Sequence, residues 1–309
     1  MSANHSPVAT GQKPTSYHVP ASSPWPFLGS FILFILVLGA ANFVQSHGVT
    51  DLSRGLGNKG TLNFLLPIGV VGILTLMFFW FRDTARESMA NMNSAQMDRS
   101  YRQGMTWFIF SEVMFFAAFF GAMFYARWLV VPWLGGEGAR GMMTHELLWP
   151  EFQAMWPLVK TPGGGVTEAM SPWGLPFINT ILLVSSSVTL TYAHHALLVG
   201  NRARLLKFLA VTCVLGLTFL SLQAEEYIHA YSEMGLTLKS GIYGSTFFML
   251  TGFHGMHVTI GSIMLIVMLI RSAKGHFTPE NHFAFEAAAW YWHFVDVVWL
   301  FLFLVVYWF

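Results

Sequence analysis

The chain has 309 residues, of which 54% are hydrophobic and only 10% are charged, and its formal net charge is +1. An average soluble domain is about one-quarter charged, so this composition excludes a soluble domain and favours a protein whose solvent is mostly lipid. The charges form no basic block, which excludes nucleic acid as a partner, and the single cysteine, Cys213, excludes an intramolecular disulfide and a metal site of paired thiolates.

Residues 1–22 differ from the rest of the chain. They are polar and rich in Ser, Pro and His, and Lys13 is their only positive charge. A cleavable signal would need a charged start and a small-residue cleavage site, and the apolar run that follows is long enough to cross a membrane. We therefore predict a flexible cytoplasmic tail at 1–22 and a folded domain at 23–309.

Seven apolar runs follow the tail, each about as long as the ~18–20 residues that cross the hydrocarbon core of a bilayer. The breaks between them fall where Gly, Pro and charged residues cluster. The sequence therefore predicts an all-α membrane protein with seven transmembrane helices, at about 25–45, 61–81, 104–131, 174–199, 205–228, 240–270 and 284–309. An odd number of spans puts the two termini on opposite sides of the membrane.

The Lys and Arg residues between the spans predict the orientation. The tail and the connections after the second, fourth and sixth spans hold ten of them, against six on the other side. Because cytoplasmic loops are enriched in positive charge, the N-terminus is predicted to be cytoplasmic and the C-terminus periplasmic. The long connection at about 132–172 would then be a periplasmic loop, with its Trp residues at the level of the headgroups.

Glu112 is the clearest ionisable residue inside a span. It lies about eight residues into the third span, hence ~12 Å along the helix axis in a core ~30 Å thick. Desolvation should favour the neutral acid unless a cation or a hydrogen-bond donor lies nearby. Two interpretations stay open: a structural carboxyl bonded to a neighbouring helix, and a role near a proton or lipid site.

Two histidines share one face of the sixth span. His254 and His257 are three residues apart, so both could reach a metal or a haem. Histidine in a membrane helix can also hydrogen-bond across a helix interface, and Gly252 and Gly255 favour close helix packing there. We prefer this second interpretation and expect no metal in this chain.

Further polar residues occur in the last three spans. Glu225 and Glu226 are adjacent, so their side chains diverge by about 100° on a helix, and a solvated rim is favoured over acid–base chemistry between them. In the last span, His293 and Asp296 are three residues apart and able to touch. The simplest interpretation of these two is a buried polar latch.

Two segments of the C-terminal half carry a specific resemblance. They are YGSTFFMLTGFHGMHVTIGS at 243–262 and HFAFEAAAWYWHFVDVVWLFLF at 282–303. Both closely resemble subunit III of bacterial aa3-type cytochrome c oxidase, a haem-copper oxidase. The likeness covers nearly the whole chain beyond residue 22, including WFRDTARES at 80–88, FIFSEVMFF at 108–116, TYAHHALLVGNR at 191–202 and LQAEEY at 222–227.

The resemblance implies seven helices in two arms, about 25–81 and 104–309, that form a V-shaped, lipid-filled cleft. It implies a subunit without a catalytic centre, whereas haem a and copper lie in partner subunits. The partners would be subunits I and II of one complex in a bacterial inner membrane. That complex reduces oxygen to water with electrons from cytochrome c and pumps protons, while subunit III supports proton uptake and protects the active site of subunit I.

The resemblance also implies a phospholipid site. Arg86, Glu87 and Arg271 match positions that hold headgroups, and Trp80 lies beside them. A guanidinium suits bidentate contact with phosphate, and these residues lie at the predicted cytoplasmic ends of spans. The alternative is that the arginines only follow the positive-inside rule. Glu112 matches a buried carboxyl of the family that reacts with carbodiimide.

Two other classes of function stay open from the residues alone. The first is an autonomous membrane proton transporter with Glu112 as its relay, which would carry protons in liposomes without partners. The second is a membrane cytochrome that binds haem through His254 and His257, which would give the isolated chain a haem spectrum. An oxidase subunit would instead co-purify with a haem-copper core.

Overall fold

The computed structural model describes residues 22–47, 63–90 and 92–308, so residues 1–21 of the predicted tail lie outside the described residues. The regular elements among the described residues are helices, apart from one antiparallel bridge between Lys160 and Val166. In chain order the helices are α1 (Trp25–His47), α2 (Leu65–Met89), α3 (Ala95–Tyr125), α4 (Val131–Leu134), α5 (Gly138–Leu148), α6 (Leu175–Leu198), α7 (Arg202–Ser232), α8 (Ile242–Ala273) and α9 (Phe283–Leu302). A π-helical turn at Ala126–Val130 follows α3, and another at Phe303–Trp308 follows α9.

The predicted number of spans is confirmed. In the described part of the chain, seven helices are long and apolar enough to cross a membrane. They are α1, α2, α3 with its continuation through α4, α6, α7, α8, and α9 with its final π-helical turn. The predicted all-α class is confirmed with them.

The ends of α2 and α3 lie outside the predicted apolar runs. α2 was expected to end near Phe81 and ends at Met89, and α3 was expected to begin near Gly104 and begins at Ala95. The additional turns carry Arg and Glu side chains, which are good helix formers. Hydropathy marks where the hydrocarbon ends, whereas the backbone continues as a helix into the aqueous boundary.

The chain forms two compact units, residues 1–100 and 101–309. In the first unit, α1 packs against α2. The contact depends on two glycines, because a Cβ on Gly39 would overlap Leu66 N and one on Gly69 would lie 2.5 Å from Leu36 Cα. Small residues allow this close approach of two helix backbones in lipid. The predicted arms of two and five helices, and the cleft, stay predictions.

In the second unit, α6, α7, α8 and α9 pack on one another around Trp292 of α9. Its indole Nε1 donates a hydrogen bond to Ser186 Oγ of α6 at 2.9 Å. Its ring faces glycines of two other helices, because a Cβ on Gly216 would lie 2.6 Å from the ring and one on Gly261 would lie 2.9 Å from it. One buried side chain thus sets the spacing of four helices.

The connection predicted as a loop at about 132–172 has its own structure. It contains the 11-residue helix α5 and a short hairpin. In the hairpin, Thr161 N donates to Gly165 O at 2.9 Å and Thr167 N donates to Val159 O at 2.8 Å. The Arg127 guanidinium lies 5.8 Å from the ring centroid of Trp156, which ties this connection to the end of α3. The periplasmic position of the connection stays a prediction.

Candidate functional site

A carboxyl and an imidazole meet between α3 and α8. His257 Nε2 lies 2.9 Å from Glu112 Oε2, and His257 Nδ1 lies 2.6 Å from the backbone oxygen of Phe253. A carbonyl oxygen only accepts, so Nδ1 carries a proton. Nε2 then either accepts a hydrogen bond from a neutral Glu112 or donates one to its carboxylate. The pair therefore holds one proton that can lie on either residue.

Aromatic rings enclose this pair. The ring of His257 lies 5.1 Å from that of Phe116 on α3 and 6.3 Å from that of Tyr291 on α9, centroid to centroid. The Glu112 side chain is 21% exposed, whereas that of His257 is 6% exposed. Electrostatic interactions are stronger in such an apolar setting than in water. Glu112 is therefore the more exposed member of the pair.

His254 belongs to a different interface. It is fully buried, and its Nε2 lies 3.2 Å from the backbone oxygen of Val295 on α9. The two histidines of α8 therefore bond to different helices, His257 to α3 and His254 to α9. Within residues 22–47, 63–90 and 92–308, no group of three or more His, Cys, Asp or Glu side chains could hold a metal ion.

Glu226 departs from the solvated rim that was expected for it. It is 1% exposed, and the Tyr307 hydroxyl donates a hydrogen bond to its Oε1 at 2.7 Å. Its neighbour Glu225 is exposed, as a rim residue would be. The spacing of Gln223, Glu226 and Ala230 places all three on the buried face of α7. The sequence carries no signal for this burial, because a helix that is apolar on most sides has no pattern that fixes which face turns inward.

His293, one residue of the predicted latch in the last span, contacts another helix. Its Nδ1 lies 2.6 Å from the hydroxyl oxygen of Ser187 on α6. Asp296 is 8% exposed, and its Oδ1 has no hydrogen-bond partner among the described residues. Ser187 therefore ties α9 to α6 through His293. Sequence reasoning missed Ser187, because nothing in the sequence places it against α9.

A second charged contact, between α3 and α9, was also missed. Arg102 Nη1 lies 2.5 Å from Glu286 Oε1, in the first turn of α9. Nearby, the ring of His194 lies 5.7 Å from that of His282. The partners come from helices far apart in the chain, so no local spacing indicates them.

The predicted lipid residues of the first unit lie around the end of α2. Arg86 is in the last turn, its side chain is 63% exposed, and its Nη1 lies 3.7 Å from Asp83 Oδ1. Trp80 is exposed one to two turns earlier, and Glu87 is half-buried. An exposed ion pair of this kind stabilises by about 0–1 kcal/mol, so it does not fix the guanidinium.

Arg271, the predicted lipid residue of the second unit, is in the last turn of α8. Its guanidinium lies 4.6 Å from the centroid of the Phe277 ring. Its Nε is buried and has no hydrogen-bond partner among the described residues. A buried donor without an acceptor is costly. The residue as a whole is half-buried, and a guanidinium is suited to bidentate contact with phosphate.

The comparisons with known proteins agree with the resemblance. A family model described as "Cytochrome c oxidase subunit III" matches residues 15–309. The "Cytochrome c oxidase subunit 3" of Marchantia polymorpha is 43% identical over 297 residues, 94% of this chain and 96% of the relative. Those of Cyprinus carpio and Homo sapiens are each 40% identical over 294 residues, 95% of this chain and 97% of the relative. The chain therefore belongs to the cytochrome c oxidase subunit III family.

Proposed function

We propose that this chain is the non-redox subunit III of a proton-pumping aa3-type cytochrome c oxidase. The match of the family model to residues 15–309 supports this assignment. In this proposal the chain contacts subunits I and II, which hold haem a and copper, and it has no catalytic centre of its own. The complex takes electrons from cytochrome c and reduces oxygen to water in a bacterial plasma membrane, with the N-terminus of this chain in the cytoplasm.

Its role would be to support proton uptake and to extend the working life of the active site in subunit I. The observation that carries this role is the pair formed by Glu112 and His257, which holds one proton in two alternative places. An ionisable residue inside a membrane helix is costly, so its presence there favours a function over simple packing. The pair is enclosed by aromatic rings, and Glu112 is its more exposed member.

The chain would also bind structural phospholipids at the ends of α2 and α8. Arg86, with Glu87 and Trp80, would contact headgroups in the first unit, and Arg271 would do so in the second. The exposure of Arg86 and the position of Arg271 in the last turn of α8 support these contacts. Both arginines lie at ends predicted to be cytoplasmic, where anionic headgroups attract basic side chains.

The test is to purify the oxidase with and without this chain. The chain should co-purify with a haem-copper core, and the core without it should keep its initial rate of oxygen reduction. Proton uptake at high pH should be slower, and the number of turnovers before inactivation should fall. Complete loss of electron transfer in an assembled core would contradict the proposal. Proton flux through the isolated chain in liposomes would indicate a transporter instead, and a stoichiometric haem spectrum would indicate a cytochrome.

A further inference from the structure

We propose that a cavity beside the end of α7 binds a small organic cation with primary ammonium groups, such as a short aliphatic diamine. The cavity lies between the last turns of α7 and the segment at 168–176, which includes the start of α6. This binding site goes beyond the proposed oxidase role and does not depend on it.

The cavity has the size of a ligand site. Its volume is about 630 Å³, within the ~300–1,000 Å³ that is typical of small-molecule sites. The backbone N–H of Glu168 donates to the backbone oxygen of Met234 at 3.3 Å. This hydrogen bond holds the segment at 168–176 against the chain just after α7, so the two walls of the cavity are tied together.

Carboxyl groups are the main polar groups of the lining. Glu168, Glu225, Glu226 and Glu233 line the cavity, and His229 lies among them. His229 Nδ1 lies 3.1 Å from Glu233 Oε2, so the histidine can neutralise at most one of the four carboxyls. No Lys or Arg is among the described residues that line the cavity. A concave surface of this composition attracts cations.

The buried carboxyl of Glu226 distinguishes this cavity from a solvated acidic rim. Glu226 is 1% exposed, whereas the other three glutamates are exposed. Its Oε1 accepts a hydrogen bond from the Tyr307 hydroxyl at 2.7 Å, but its Oε2 is buried and has no hydrogen-bond partner among the described residues. Carboxylate oxygens inside proteins are usually paired, because an unpaired one loses its hydration without compensation. A cation in the cavity supplies the missing partner.

The arrangement of the acidic side chains favours an organic cation over a metal ion. In the described part of the chain, no group of three or more His, Cys, Asp or Glu side chains could hold a metal ion. A metal ion needs its ligand atoms within about 2.0–2.6 Å. A primary ammonium has three hydrogen-bond donors, and a molecule with two such groups can bridge carboxyls that lie farther apart. The cavity therefore fits a diamine better than a bare ion.

The apolar part of the lining is suited to the hydrocarbon stem of an amine. Met170 and Met234 are buried beside the carboxyls, and Leu175 also lines the cavity. Trp173 lines it as well and is exposed, so the face of its ring is open to a cation. One ammonium group would then contact Glu226, and the second would lie near Trp173 and the exposed carboxyls.

The experiment titrates 1,4-diaminobutane into the full chain in phosphatidylcholine nanodiscs, with binding measured by isothermal titration calorimetry. This lipid has no primary ammonium and no net charge, so it neither competes for the cavity nor attracts the probe. One diamine should bind per chain, whereas empty nanodiscs and the uncharged 1,4-butanediol should give no binding. Absence of diamine binding would overturn the proposal. Binding of Ca²⁺ that is as tight as that of the diamine and equally dependent on Glu226 would also overturn it.

Carboxyl variants test whether the diamine binds in this cavity. The amide of Glu226→Gln can still accept from Tyr307, but without the charge the dissociation constant should rise at least about tenfold. Glu168→Gln and Glu233→Gln remove exposed carboxyls and should each raise it about two- to fivefold. The matched control is Glu146→Gln on α5, which changes an exposed carboxyl outside the cavity and should leave the affinity unchanged.

Two results with these variants would contradict the site. The first is wild-type affinity in Glu226→Gln, and the second is an equal loss of affinity in the control Glu146→Gln. If Glu226→Gln does not fold, the double variant of Glu168→Gln and Glu233→Gln decides, because both of its changes lie on exposed side chains. Weaker binding in the double variant would support the site, and wild-type affinity would overturn it.

Discussion

Replacing His257 by Ala should lower the stability of the contact between α3 and α8. His257 Nε2 lies 2.9 Å from Glu112 Oε2, and the histidine side chain is 6% exposed. Leaving a buried acceptor without its partner costs about 1–3 kcal/mol. Hydrogen bonds between membrane helices contribute less on average, ~0.6 kcal/mol with a maximum of ~1.7. We therefore expect the free energy of unfolding to fall by about 1–2 kcal/mol.

Glu112→Gln separates the structural role of the pair from a role with protons. The amide can still hydrogen-bond with His257, so the free energy of unfolding should change by less than about 1 kcal/mol. The amide cannot take up a proton, so proton uptake at high pH should slow and the working life of the oxidase should shorten. His254→Ala is the control, because it removes a buried histidine of the same helix that bonds to α9 instead.

The assay combines unfolding of the chain in bicelles with proton uptake by the assembled oxidase. A double-mutant cycle of Glu112→Gln and His257→Ala should give a coupling energy of about 0.5–1.5 kcal/mol, as expected for residues in contact. Wild-type proton uptake and catalytic lifetime in Glu112→Gln would refute the proton role. A coupling energy of zero would refute the contact itself.

Gly216→Ala should destabilise the second unit by about 1–3 kcal/mol in the unfolding assay, because the added Cβ would lie 2.6 Å from the Trp292 ring. In the same assay the control Gly255→Ala should be neutral or slightly stabilising, because a Cβ there meets no atom of the described residues within 4 Å. Tyr307→Phe removes the hydrogen bond to a buried carboxyl and should cost about 1–3 kcal/mol, and a variant as stable as the wild type would mean that water replaces the hydroxyl. Arg271→Ala should reduce the tightly bound phospholipid measured by native mass spectrometry, whereas Arg271→Lys should retain only part of it because an ammonium cannot form a bidentate contact. Unchanged lipid in Arg271→Ala would leave this arginine as a topology signal.

The sequence by itself determined the number and type of the spans. A chain in lipid must satisfy its backbone hydrogen bonds within each segment, so a run of about 20 apolar residues has to be a helix. The family was also readable from local motifs, since residues 243–262 and 282–303 carry unusual residues in a fixed order. Both inferences depend only on residues that are close together in the chain.

The helix ends and the exposure of some polar residues could be predicted less well. α2 and α3 continue beyond their apolar runs because charged residues are compatible with a helix at the aqueous boundary. Glu226 was expected at a solvated rim because its position was judged from its neighbour Glu225. The buried positions of α7 recur at helical spacing, which places Glu226 inside.

Only the tertiary structure decided which polar groups meet. Glu112 pairs with His257, and Ser187 meets His293, across helices that are far apart in the sequence. Helices that are apolar on all sides have no sequence pattern that fixes which face turns inward. Their rotation follows from packing, as where the Trp292 ring fills the space left by glycines of α7 and α8. The chemistry of the candidate sites therefore depends on packing that no single segment encodes.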